Sequence, residues 1–169
     1  MEPLAEGRIE TPLGPMVALA DDDRLYLLEF ADRAVLQSQI RRLVRLTGRQ
    51  HRPGDSPVFD RLSKELEEYF GGRRRTFSVP LAMPGTAFQR SVWEQLLAIP
   101  PGRTSTYGEI ARHLGKPQAT RAVGKANGDN RLTILVPCHR LVGQNGSLTG
   151  YGGGLWRKRF LLEHESKPR

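Results

Sequence analysis

The stretch Pro80-Leu81-Ala82-Met83-Pro84-Gly85-Thr86 constrains this chain most, because the hydrophobic texture differs on its two sides. Two prolines and a glycine within seven residues resist regular structure and mark a boundary. Before it, the first 30 residues alternate short apolar runs with turn residues. Arg8 to Leu13 and Met16 to Ala20, separated by Gly14-Pro15, read as a hairpin, and Asp21-Asp22-Asp23 turns the chain into a third strand, Leu25 to Phe30. Helical spacing follows at Leu36, Ile40, Leu43 and Val44, ended by Gly48. A second helix opens on Ser56-Pro57, carries Phe59, Leu62, Leu66, Tyr69 and Phe70 on one face, and stops at Gly71-Gly72.

Beyond the boundary the pattern is one of short capped helices. Thr86 with Gln89 is a capping-box pair, leading a helix through Phe88, Val92, Leu96 and Leu97 to Pro100-Pro101-Gly102. Thr106 with Glu109 repeats it and opens a helix bearing Tyr107, Ile110, Ala111 and Leu114. After the turn Gly115-Lys116-Pro117, a third helix is expected from about Gln118 to Ala126. Helix, short turn and helix is the helix-turn-helix arrangement, which many non-binding hairpins share. The expected fold class is α+β. A small N-terminal α/β-type unit with a three-stranded antiparallel sheet (residues 1–82) precedes a mostly helical C-terminal domain with a helix-turn-helix (residues 83–169).

No apolar run among the 169 residues approaches the roughly 20 needed to span a bilayer. The start Met1-Glu2-Pro3 lacks a basic flank and an apolar h-region, so a cytoplasmic protein with no membrane partner is expected. The net charge of +8 points toward a polyanion, although charge can serve solubility alone. Arginine outnumbers lysine 21 to 5. That bias suits bidentate phosphate contacts and base stacking, and equally a host that favours arginine codons.

On the helix expected at 118–126, Ala119, Ala122, Val123 and Ala126 follow the i, i+3, i+4, i+7 rule and should face the protein. Gln118, Arg121 and Lys125 then share an outward face, either solvated or against a partner. Small residues, Ala119, Ala122, Gly124 and Ala126, let this helix backbone approach a partner closely.

The chain has one cysteine, Cys138, so it holds neither an internal disulfide nor a multi-cysteine zinc site. A lone cysteine is commonly an inert core residue. Its neighbours argue otherwise. Asn130-Arg131 precedes Leu132 to Val136, expected as a short buried strand, which ends in Pro137-Cys138-His139-Arg140. At an ordinary thiol pKa of about 8.5 only a few per cent is thiolate at pH 7, so an adjacent histidine base has a use. Neighbours in a regular strand point to opposite faces, so the pair cooperates only if the chain turns there or through a bridging water. The last helix, Leu155 to about Glu165, offers Glu165 as an acceptor for the second ring nitrogen, if that carboxylate is buried and not on the helix-end surface. The intervening Thr149-Gly150-Tyr151-Gly152-Gly153-Gly154 is either a flexible connection or a loop fitted closely around a flat ligand.

Together, Tyr107, Asn130, Pro137-Cys138-His139-Arg140, Tyr151-Gly152-Gly153-Gly154 and Glu165 resemble, in order and spacing, the O6-alkylguanine-DNA alkyltransferases. The resemblance covers residues 86–165, and the N-terminal unit agrees in length and coarse pattern. It implies a double-stranded DNA substrate containing O6-alkylguanine, and transfer of the alkyl group to Cys138 in a single self-inactivating turnover. The resemblance implies that the nucleotide would be flipped from the minor groove. His139 would act on the thiol through a water, with Glu165 orienting it. Tyr107 would donate toward guanine N3, and Asn130 would hold the turn before the cysteine. The resemblance assigns base contacts to the carbonyls of Cys138 and Leu141 and the amide of Gly152, with Tyr151, Gly152 and Gly153 as the lid. Arg121 would fill the gap left in the duplex, and Gln118, Ala119, Thr120, Ala122, Gly124 and Lys125 would lie against DNA. No cofactor or metal is expected, and the protein is expected to be a monomer when free, with cooperative assembly on DNA left open by the sequence. Leu141 stands where valine is frequent in the family, and Gly152 where some relatives have serine; backbone groups carry both roles. The N-terminal zinc ligands of some members and the second cysteine module of the adaptive-response regulators have no counterpart, which implies the stand-alone repair form.

Three other readings compete: a cysteine hydrolase using Cys138, His139 and Glu165; a non-catalytic binder of alkylated DNA; and a regulator using the helix-turn-helix alone. The hydrolase would turn over repeatedly. The binders of this kind lack the reactive cysteine, and a regulator leaves the motif at 137–140 unexplained.

Overall fold

A computed structural model describes residues 2–168, which divide into two units: 2–84 with 131–133, and 85–130 with 134–168.

In the first unit, strands β1 (Leu4–Ile9), β2 (Met16–Ala20) and β3 (Leu25–Phe30) form an antiparallel meander. The first strand starts four residues before the Arg8–Leu13 stretch expected from sequence and shares only Arg8 and Ile9 with it. Residues 11–14 are instead a turn, in which Gly14 N–H donates to the Thr11 carbonyl and the Thr11 hydroxyl to the Gly14 carbonyl. A fourth strand, β4 (His51–Pro53), pairs parallel with β1, giving the order β3-β2-β1-β4. Three residues ending in proline carry no readable alternation, and proline is tolerated there because the strand is an edge.

Helices α1 (Leu36–Thr47) and α2 (Pro57–Phe70) cover the sheet. Leu36, Ile40 and Leu43 pack with Leu4, Leu19 and Leu27 in one apolar cluster. Gly48, with φ of 69°, ends α1 in the left-handed conformation that glycine adopts without strain. At Gly7 a Cβ would meet the Phe59 ring at 2.8 Å, so only glycine lets α2 approach β1 this closely. The open edge of β3 is closed by two returning segments. The Leu25 amide donates to the Pro80 carbonyl and the Leu25 carbonyl accepts the Ala82 amide, and Leu28 pairs with residues 131–133 at 2.8 and 3.0 Å. Both cover an edge that would otherwise invite pairing with another chain.

The second unit contains α3 (Ala87–Leu97), α4 (Tyr107–His113), α5 (Thr120–Gly128) and α6 (Leu155–Ser166). A short parallel pair joins β5 (Ser105–Thr106) to β6 (Leu141–Val142). The full capping box at Thr86 and Gln89 and the Thr106 cap on Glu109 N–H form as their sequence patterns require. Helix α5 starts two residues later than expected, leaving Gln118 in the preceding turn. Its buried residues are Val123, Ala126 and Asn127, whereas Ala122 is exposed. The inward face is thus turned toward Asn127 and away from Ala122. Trp93 fixes this packing, since its indole N–H donates to the Ala126 carbonyl at 2.9 Å. No helix among the described residues is long and apolar enough to cross a membrane.

Candidate active site

Residues 132–136 are buried as expected, but they are not a strand. After the Leu28–Leu132 bridge the chain enters successive turns, with Ile134 at φ 76°. A β-branched residue in the left-handed region is strained, and such strain persists only where the surroundings hold it. Asn130 supplies part of that hold by donating from Nδ2 to the Val136 carbonyl at 2.9 Å. Released from extended geometry, Cys138–Arg140 forms one turn of 3-10 helix after Pro137. This removes the difficulty of neighbouring side chains on opposite faces of a strand.

Cys138 is 8% exposed, and His139 and Glu165 are buried beside it. Helix α6 brings Glu165 to this turn, where its Oε2 lies 2.8 Å from His139 Nε2. Arg140 binds the same carboxylate with both Nε and a terminal nitrogen, each at 2.9 Å, and donates to the Ile99 carbonyl at 2.6 Å. Burial alone would raise the Glu165 carboxyl, but the hydrogen bonds and charges of His139 and Arg140 hold it well below the usual carboxylate range. Glu165 is therefore ionised and can only accept, so Nε2 of His139 carries the proton and Nδ1 presents a lone pair. That Nδ1 is buried and makes no hydrogen bond to the described residues. Burial pushes the imidazole below its ordinary value, with the charges of Arg140 and Lys158 acting in the same direction and Glu165 opposing. His139 is thus a neutral imidazole poised as a base.

Beside this cluster lies an open cleft of about 660 Å³, walled by Tyr107, by Thr120, Gly124, Asn127 and Gly128 of α5, and by Thr149 to Gly152. Tyr107, Tyr151 and Gly152 thus meet in one place. The Thr149 hydroxyl donates to the Tyr107 hydroxyl at 3.4 Å, and Gly124 lies against the Tyr107 ring. Asn127 links cleft to cysteine, donating from Nδ2 to the Cys138 carbonyl at 3.4 Å. The same carbonyl accepts the Leu141 amide, so a base amino group would share an acceptor already in use. Gly153 lies outside the cleft wall, and its carbonyl accepts from Arg157. Arg121 projects into solvent from α5 with no partner among the described residues, while Lys125 pairs with Asp129 at 3.4 Å. Gln118, Ala119 and Thr120 lie at or before the start of α5, clear of the buried face. No group of three or more histidine, cysteine, aspartate or glutamate side chains among the described residues could hold a metal ion.

Sequence reasoning missed Asn127, Arg140 as a second partner of Glu165, and Lys158. Lys158 is fully buried, and its Nζ donates to the Thr149 carbonyl at 2.7 Å. One signal was available: Lys158 precedes Glu165 by seven residues, two helical turns on the same face.

A buried cysteine on a 3-10 turn beside a neutral, carboxylate-held imidazole defines a thiol-nucleophile site. Residues 87–167 match the DNA-binding domain of 6-O-methylguanine DNA methyltransferase, and residues 4–83 match its ribonuclease-like domain. The chain is 43% identical over 165 residues to the methylated-DNA–protein-cysteine methyltransferase of Shigella flexneri, covering 96% of this chain and 95% of the relative. It is 42% identical over 156 residues to that of Methanosarcina acetivorans, covering 92% and 94%. The crystal structure of Mycobacterium tuberculosis O6-methylguanine methyltransferase superposes with a TM-score of 0.81 at 42% identity, covering 96% of this chain and 93% of that one. The same organism's protein in complex with DNA gives 0.80 at 42% identity, covering 94% and 91%. The chain belongs to the 6-O-methylguanine DNA methyltransferase family.

Proposed function

We propose that this chain repairs DNA by moving the alkyl group of O6-alkylguanine irreversibly onto Cys138. The observation that carries this assignment of residues is the buried His139–Glu165 pair beside the sole cysteine, with Nδ1 of His139 left to accept a proton.

In the reaction, the thiol proton passes through a water to Nδ1, and Glu165 holds the ring in the tautomer that makes Nδ1 the base. Sγ attacks the alkyl carbon in line, the carbon–O6 bond breaks, and its electron pair returns to the base. Tyr107 protonates guanine N3 as this charge develops, and its phenolate recovers a proton from solvent. The products are a neutral guanine and a thioether on Cys138, so each molecule acts once. Asn130 keeps the turn that aims Cys138 into the site.

The alkyl carbon is unreachable in stacked DNA, so the nucleotide leaves the duplex at a cost of a few kcal/mol. The guanidinium of Arg121, exposed on α5, fills the gap from the minor groove. Gln118, Ala119, Thr120, Ala122, Gly124 and Lys125 lie along the DNA, where small side chains permit close backbone approach. The flipped base enters the cleft under Tyr151, Gly152 and Gly153, reading its amino group with the carbonyls of Cys138 and Leu141. In this reading the free protein is a cytoplasmic monomer that acts on the nucleoid and assembles cooperatively on DNA.

The test is incubation with duplex DNA containing O6-methylguanine, followed by intact mass and peptide mapping. One methyl group on Cys138 at one equivalent is the expected result. Unmodified protein with DNA bound would replace this reading with that of a binder, and repeated turnover with that of a hydrolase.

A further inference from the structure

We propose that Asn127 recognises the flipped base, its side-chain Oδ1 accepting a hydrogen bond from the 2-amino group of O6-alkylguanine. The inference rests on the alkyl-acceptor reading of the site and adds to it the side chain that selects the base.

Asn127 lies in the last turn of α5, on the inward face that it shares with Val123 and Ala126, and is 6% exposed. A primary amide buried on such a face costs free energy unless both of its ends are bonded. One end is: Nδ2 donates to the Cys138 carbonyl at 3.4 Å. That contact fixes which way the amide points, because a carbonyl oxygen attracts the nitrogen and repels Oδ1. The other end is not. Oδ1 is buried and makes no hydrogen bond to the described residues. Asn127 is also one of the residues that wall the cleft of about 660 Å³. A buried acceptor without a donor, on a residue of that wall, points to a ligand that brings the donor with it.

The polar groups nearby are already engaged. The Cys138 carbonyl accepts from Asn127 and from the Leu141 amide, which uses both of its lone pairs, so a base amino group can only share it. The Thr149 carbonyl accepts from Lys158. The Tyr107 hydroxyl accepts from that of Thr149, so what it offers a base is its proton. Thr120, at the start of α5, is exposed to solvent. The cleft thus presents a donor at Tyr107 and an unpaired acceptor at Asn127.

Guanine matches this pair. On its minor-groove edge the N3 acceptor stands beside the 2-amino donor. Alkylation at O6 removes the N1 proton, which leaves the 2-amino group as the only N–H donor of the base. A base that enters between α5 and the Thr149–Gly152 wall can give N3 to Tyr107 and one amino hydrogen to Asn127. Because Oδ1 is already stripped of water by the fold, this bond displaces nothing on the protein side. Nδ2 meanwhile ties the base-reading amide to the carbonyl of the attacking cysteine, so recognition and nucleophile are held in one frame.

Two duplexes that differ in one group decide the matter. O6-methylhypoxanthine is O6-methylguanine without the 2-amino group, and single-turnover transfer to Cys138 from each is followed by intact mass. The ratio of the two rates is the quantity read, since it cancels whatever Asn127 does through the Cys138 carbonyl. Asn127→Leu is expected to lower the ratio of guanine to hypoxanthine transfer by about tenfold, the effect of one hydrogen bond to a buried acceptor. Asn127→Asp keeps an acceptor oxygen in either protonation state and should stay within about threefold of the wild-type ratio. A ratio unmoved in Asn127→Leu would leave Asn127 as a brace of the cysteine turn and overturn the proposal. Asn127→Ala makes the same comparison should the leucine variant not fold. The alkyl-acceptor reading fails in a different way, by transfer from neither duplex. The affinities of wild type and variant for the two duplexes, read by fluorescence anisotropy, then decide on the contact. A roughly tenfold fall in their ratio supports it, and an equal ratio overturns it.

Discussion

Each unit of the chain buries a carboxylate in a hydrogen-bonded cluster, and the two clusters differ in what they leave over. In the first unit, Glu29 is fully buried and accepts from the Phe30 amide, Arg33 at 2.6 Å, Gln39 at 3.1 Å and Thr133 at 3.2 Å. One negative and one positive charge cancel, and the cluster clamps the 131–133 segment on β3. In the second unit, Glu165 is gripped as firmly, yet its cluster ends in a buried histidine nitrogen with no hydrogen-bond partner among the described residues. The charge of the whole units follows the same division. Residues 1–84 with 131–133 hold 14 basic and 13 acidic side chains, whereas the remainder holds 12 and 5. A buried ion network therefore says little about chemistry by itself. The informative feature is a titratable atom that the network does not satisfy.

The sharpest way to break this comparison is to neutralise both carboxylates. Glu165→Gln is expected to slow alkyl transfer by about 100-fold, since the imidazole loses the acceptor that sets its tautomer. It should also cost about 3–5 kcal/mol of stability, because Arg140 is left buried without its partner. Glu29→Gln should destabilise by about 3 kcal/mol with no change in transfer rate. Single-turnover kinetics and denaturant melts on the same two variants settle the matter. A rate loss in Glu29→Gln would show that the clamp on 131–133 acts on the cysteine.

The units should also separate on acidification. His139 has a depressed pKa, so the unfolded chain takes up a proton first, and the stability from the neutral buried imidazole falls as pH drops below about 6.5. Glu165 adds a second loss below the ordinary carboxylate value, because its stabilisation is present above that value and vanishes toward its lower folded one. In the first unit, Asp21, lowered to about 2 by Arg49 and neighbouring hydrogen bonds against its burial, gives up its contribution only in the carboxylate range. Both tryptophans, Trp93 and Trp156, lie in the second unit, so their fluorescence in denaturant melts should show weakening between pH 7 and 5. A midpoint unchanged over that interval would mean that His139 is not buried neutral.

Smaller effects refine the contrast. Arg121→Ala should reduce transfer from duplex DNA about tenfold and leave iodoacetamide reactivity of Cys138 unaltered, placing its action on DNA and not on the thiol. Equal losses on duplex and single-stranded substrates would argue against gap filling. Least of all, Thr106→Ala and Ser56→Ala, one N-cap in each unit, should each cost about 1 kcal/mol in denaturant melts.

Much of this was readable from residue order. The helix caps at Ser56, Thr86 and Thr106 formed where expected because capping depends on neighbours two or three residues apart. The meander through Phe30 followed from turn residues between apolar runs, although β1 lies further N-terminal because Thr11–Gly14 prefers a turn. The site was legible as a set of residue types: a single cysteine, a histidine beside it, and a glutamate on the buried face of the last helix.

What sequence could not reveal depends on distant parts of the chain. The apolar run 132–136 looks like a strand, since only the pairing of Leu132 with Leu28 and the hydrogen bond from Asn130 to Val136 force Ile134 into a left-handed turn. That turn places Cys138 and His139 together in a 3-10 helix. Likewise the sequence determined that α6 carries Lys158 and Glu165 on one face, through nothing more than helical period. Only the tertiary structure decided that this face lies against the cysteine turn, where Glu165 meets a histidine and an arginine while Lys158 meets the Thr149 carbonyl. The physical reason is range: caps, turns and periodicity act over a few residues, whereas the meaning of a charge is set by whatever the fold brings beside it.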